Sequence, residues 1–236
     1  MRVIGWIGVL HITVIAVWMI INIVFSLSNP INMNEDNTLA ENGIAYYSAF
    51  PGYLGMDHGS KSLIMILSIA IPVGLFICFK NIEYFRLRNT IALISGCFGF
   101  ALYGLSLMLQ AVTVEYAFNL FNSSEDMYSR QFATLLYDWS MLQGGLSVSI
   151  YIIANLLLAA WIILHSIGLS KFLHKKRVSV FGYFTGGLMI AGYLIAWFFL
   201  MQGEQSMHNL NEIVGVLFML WIFFVSMKMI KGTVST

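Results

Sequence analysis

Six apolar runs pattern the chain, at residues 3–27, 63–79, 90–114, 142–165, 178–201 and 213–230, with polar or charged stretches between them. A helix needs about 20 mostly apolar residues to cross the hydrocarbon core of a bilayer. The pattern therefore predicts an all-α fold: a polytopic membrane protein, a bundle of six transmembrane helices in one domain spanning residues 1–236. The second and sixth runs are the shortest and draw on flanking residues. Two stretches, 28–61 and 115–141, are predicted to be long outer loops. In the second of these, Phe118, Leu120, Phe121 and then Phe132, Leu135, Leu136 and Trp139 recur at steps of three and four. That spacing suits an amphipathic helix on or entering the membrane, and it carries the fourth helix back as far as Gln131. The first loop ends in Tyr46, Tyr47, Phe50 and Tyr53. Aromatics at that density suit the membrane interface; a substrate lid is the functional alternative.

Composition agrees with the pattern. Of 236 residues, 59% are apolar and only 10% charged, and the mean hydropathy is +0.81. These values exclude a soluble domain, a disordered chain, a disulfide scaffold and a nucleic-acid binder. Arg2 and the small residues Ser26 and Ser28 around the first run resemble parts of a signal peptide. The run exceeds the roughly 7–15 residues of a signal core, so it reads as a retained helix. Pro72 falls inside the second run, where it removes a backbone hydrogen bond and predicts a kink.

Charge sets the orientation. Arg2, Lys80, Arg86, Arg88, Lys171, Lys175, Lys176, Arg177, Lys228 and Lys231 lie at one end, leaving Lys61 and Arg130 at the other; of the acids only Glu83 joins the basic end. Basic residues near span ends stay cytoplasmic, so both termini are predicted to be cytoplasmic, in a bacterial cytoplasmic membrane with the lipid bilayer as partner. The run Lys171, Lys175, Lys176, Arg177 either serves topology alone or binds anionic lipid. Cys78 and Cys97 both fall near the cytoplasmic end, where a disulfide is not expected.

Small residues mark helix contacts. The clearest stripe is Gly182, Gly186, Gly187 and Gly192 in the fifth run, which reads either as an internal seam or as a homo-oligomer or partner interface. Charged groups at membrane depth are expensive and are default functional candidates. Here the centre holds His11 and the neutral amides Asn22, Gln110, Gln143 and Asn155, whereas the outer rim gathers His58, Glu115, Asp138, His208 and Glu212. His208 and Glu212, four apart, share a helical face and with His58 make a mixed nitrogen–oxygen set for a metal. The rim also suits a vestibule for a small solute, cation or proton, or carboxylates that simply complement helix N-termini. A haem needs two histidines at matched depth, and His11 and His165 differ by about a turn or two of helix. No cofactor is predicted, and no nucleophile–base pair assembles.

Ser170, Lys171, Phe172 and Leu173, followed by Arg177, Val178, Ser179, Val180, Phe181 and Gly182, resemble the junction motif of a large bacterial family of six-helix membrane proteins of unknown function. Asn211, Glu212 and Ile213, with Trp221, Lys231 and Gly232, resemble its closing helix, and Tyr137, Asp138 and Trp139 its aspartate–aromatic step. The likeness covers about 136–232; it departs where the family carries proline after the lysine, since His174 and Lys175 stand there. The resemblance implies six helices with cytoplasmic termini, draws attention to Asp138 and Glu212, and implies no activity. The leading expectation is a protein that moves or senses a small solute, cation or proton at an outward-facing polar site. The alternative is a structural or regulatory subunit docking through the fifth-run glycines.

Overall fold

The computed structural model describes residues 1–31, 33–142, 145–174, 176–201 and 208–232, excepting the side chains of 200, 201 and 208–212. Among these residues every regular element is a helix: α1 (Arg2–Ser28), α2 (Leu39–Tyr47), α3 (Tyr53–Leu67), α4 (Ala70–Phe79), α5 (Arg86–Ser123), α6 (Met127–Met141), α7 (Leu146–Lys171), α8 (Lys176–Met201) and α9 (His208–Ile230), with one 3-10 turn at Glu83–Phe85. Six helices or continuous helix pairs are long and apolar enough to cross a membrane, so the chain is a multi-pass membrane protein.

The spans pack in sequence order as a closed ring. The α3–α4 pair lies against α5, α5 against α7, α7 against α8 and α8 against α9, and α1 closes the ring against α9, α3 and α4. Helix α1 is the least buried span, and its buried residues are Gly5, Gly8 and His11. A Cβ on Gly5 would stand 2.7 Å from the Ser226 carbonyl oxygen, so glycine is what brings the α1 and α9 backbones together.

The kink expected at Pro72 is present as a full break between α3 and α4. Proline cannot donate to the Ser68 carbonyl; instead the Ile71 N–H reaches that carbonyl at 2.9 Å, in a tighter three-residue turn. The break sets the Ser68 hydroxyl facing the ring centre, where it meets His11.

Both predicted outer loops are largely helical. The second span starts at Tyr53 rather than near residue 63, because its first ten residues bury Leu54, Asp57 and Ser62 among neighbours in place of lipid. Helix α5 has 38 residues, about 57 Å at 1.5 Å per residue, against the ~30 Å of a hydrocarbon core. Its surplus end joins α2, the start of α3 and α6 in a second apolar core of Ala40, Ile44, Leu54, Val114, Ala117, Phe118, Ala133 and Tyr137. The amphipathic helix expected before the fourth span is α6. It buries Ala133, Tyr137 and Ser140 and leaves Tyr128, Phe132, Leu135 and Trp139 exposed in a single stripe. It is a separate helix from α7, because Gly145 folds back so that its N–H donates to the Trp139 carbonyl at 3.0 Å.

Candidate functional site

The end of the bundle opposite the termini holds three polar arrangements. The most enclosed lies between α1 and α3. Asp57, 4% exposed, pairs with the Lys61 ammonium one helical turn away at 2.5 Å. The Asn22 amide of α1 donates to the other Asp57 oxygen at 3.4 Å, and the Tyr53 hydroxyl donates to Asn22 Oδ1 at 2.6 Å. Tyr53 is held in turn by stacking on Phe25, with ring centroids 3.9 Å apart. His58 follows directly, and its Nδ1 is buried without a hydrogen-bond partner. Tyrosine, amide, carboxylate and ammonium thus form one chain between α1 and α3, anchored by aromatic packing from the 46–53 segment.

The second arrangement fixes the start of α3. Glu115 of α5 accepts from the Gly52 N–H through Oε2 and from the Gly55 N–H through Oε1, each at 3.0 Å. The first N–H groups of a helix lack internal partners and carry partial positive charge, so a carboxylate there satisfies both hydrogen bonds and dipole. Glu115 is therefore a cap supplied by a neighbouring helix, and it fixes the start of α3, from which Asp57 and Lys61 project, against α5.

The third is a cleft of about 600 Å³ between α2 and α6, lined by Glu41, Glu125, Asp138 and Arg130 with Phe121, Leu135 and smaller residues. Glu41 accepts from the Thr38 N–H at 2.7 Å and from its hydroxyl at 2.9 Å, and those two bonds hold its carboxyl below the usual range. Arg130 donates to the Ser124 carbonyl at 2.9 Å and lies over the Phe121 ring. Tyr47, beside this cap, is pushed up by burial and by the neighbouring Tyr46 and Asp57.

The structure thus separates the residues that sequence placed together. Asp138 lines the cleft, Glu115 caps α3, and His58 stands beside the Asp57–Lys61 pair. The side chains of His208 and Glu212, like residue Lys175, lie outside the described residues. Among the described residues no group of three or more metal-ligating side chains converges. In the glycine stripe, a Cβ on Gly182 would meet Ser166 and Trp221, and one on Gly186 would meet Ile163. Gly192 is buried, and Gly187 alone of these three measured positions opens to free space.

The pairing of Asp57 with Lys61 was within reach of the sequence, since the two are four apart, but only once the helix is begun at Tyr53. A further polar feature had no sequence signal. The hydroxyls of Tyr103, Tyr151 and Tyr193, from α5, α7 and α8, form a chain with two 3.2 Å links.

No family model matches the chain, and neither a curated protein nor a solved structure matches it.

Proposed function

We propose that the chain binds a small cation or a proton at the outer boundary of a bacterial cytoplasmic membrane, and moves or senses it, with both termini on the cytoplasmic side. The orientation is supported by the gathering of ten of the twelve bases at the terminal end. The observation that carries the function is the Asp57–Lys61 pair, a carboxylate and an ammonium enclosed within a spanning helix. Such groups are costly in a membrane and pair internally when they are kept. Lys61 acts as a tethered cation on the Asp57 carboxylate, whose other oxygen accepts from the Asn22 amide; hard cations prefer such oxygen ligands. A mobile cation or a proton competes with the ammonium for the carboxylate, and Lys61, at 18% side-chain exposure, has a path outward when displaced. The carboxylates Glu41, Glu125 and Asp138 of the neighbouring cleft raise the local cation concentration.

Proteoliposomes holding a trapped pH dye and challenged with gradients of sodium, potassium or methylammonium test this reading, alongside thermal midpoints of the purified protein in the same salts. Flux above that of empty liposomes, or a rise in midpoint specific to one cation, is expected. Neither signal in any of the three salts or with a proton gradient alone overturns it.

A further inference from the structure

We propose that the inner end of the bundle carries a binding site for one anionic phospholipid, formed where the turn between α4 and α5 meets the C-terminus of α7. Two basic segments distant in sequence are pinned together there by aromatic rings. Phe172, just past α7, contacts Tyr84 at 5.3 Å and Phe85 at 5.2 Å between ring centroids, and Phe79 at 6.3 Å. The Lys171 ammonium lies 5.4 Å from the centre of the Tyr84 ring. The α4–α5 turn brings Lys80, Arg86 and Arg88 to the same end, all exposed. Glu83 lies in the same turn and is exposed, but among the described residues no ion pair joins it to Lys80, Arg86, Arg88 or Lys171.

Apolar surface accompanies the charge. Tyr84 and Leu87 are each 73% exposed and stand on either side of Arg86 in the chain. At the end of a span, tyrosine belongs at headgroup level. The arrangement has the two parts that a phospholipid needs: cations for the phosphate and an apolar ledge, Tyr84 and Leu87, for the first stretch of acyl chain. A topological role alone requires positive charge anywhere in the loops. It does not require Phe172 to clamp one loop to the other or Lys171 to rest on an exposed aromatic ring. Free phosphate would use the cations but leave the ledge uncovered, so the occupant is a lipid.

The test is retention of phosphatidylglycerol against phosphatidylcholine, measured by native mass spectrometry of the full chain released from mixed nanodiscs. The variant Lys171→Gln/Arg86→Gln is compared with Lys176→Gln/Arg177→Gln, which removes the same charge from the start of α8. Each base near an anionic headgroup contributes roughly fivefold to binding, so the first pair is expected to weaken phosphatidylglycerol retention about twenty- to thirty-fold. The second pair should lower it far less. The milder Phe172→Leu keeps every charge and loosens the clamp, and an intermediate loss is expected. Ten millimolar inorganic phosphate is expected to leave retention unchanged. Equal losses from both charge pairs, no preference for the anionic lipid in the wild type, or displacement by inorganic phosphate each overturn the proposal.

Discussion

Two of the titratable side chains within the spans, Asp57 and His11, are kept in opposite ways. Asp57, at the end opposite the termini, is ringed by an ammonium, an amide and, through that amide, a phenol. His11, at the ring centre, has a single polar neighbour, the Ser68 hydroxyl at 2.7 Å, and is otherwise walled by Phe100 and Phe218. Ser68 already donates to the Ile64 carbonyl at 2.7 Å, so the imidazole supplies the proton of its contact through Nδ1–H. Nε2 is left as a buried acceptor with no partner. The contrast teaches where this bundle tolerates charge. A carboxylate is held where several polar partners are within reach, whereas His11 at the centre has one hydrogen bond and aromatic walls. That difference favours the rim over the axis for the ion binding proposed above.

The comparison is broken most severely by removing one partner of the ion pair. Lys61→Met leaves Asp57 enclosed and uncompensated, a change that costs about 3 kcal/mol or more. A large drop in thermal midpoint in detergent is expected, with most of it restored in Asp57→Asn/Lys61→Met. No rescue in the double variant would show that the pair is not coupled. At the centre, Ser68→Ala strands the His11 N–H and is expected to cost about 2 kcal/mol, while Ser68→Thr should retain most of the stability. A smaller effect is expected for Glu115→Ala, which uncaps α3 at about 1 kcal/mol. Hydrogen exchange should localise that loss to the first turns of α3, sparing α7.

The smallest effect is one of pH. Glu41 and Asp126 have carboxyls lowered by hydrogen bonds from Thr38 and Ser129. A carboxyl with a depressed native pKa adds stability above its unfolded pKa and loses it as pH falls through the native value. Protection of the α2 and α6 amides should therefore fall on acidification below the ordinary carboxylate range. Thr38→Ala should remove the α2 part of that dependence and leave the α6 part intact.

The spans were legible because hydropathy reports transfer into lipid directly, and the break at Pro72 was legible because proline acts locally. The outer cap was not. Its helices are amphipathic toward one another, and Ile44, Phe118 and Tyr137 become a core only when segments 39–47, 86–123 and 127–141 meet. The same blindness divided the candidate site. Glu115 and Asp138 look equivalent as rim carboxylates, yet one caps a helix from another element and the other lines a cleft. Asp57 and Lys61 lie just before the apolar run at 63–79, and a hydropathy window stops at charge while a helix continues through it when the charges pair. The tyrosine chain of α5, α7 and α8 joins residues 42 and 48 positions apart, a distance at which no periodicity carries information.

Cation-dependent stability of the Asp57→Asn/Lys61→Met variant tests the central claim most directly, because the double change removes both charges and is expected to restore most of the stability. The thermal midpoint of wild-type protein is expected to rise with the preferred cation or to shift with external pH. In the folded double variant that response is expected to vanish. A response of wild-type size in the double variant would contradict the assignment of the outer ion pair as the binding site.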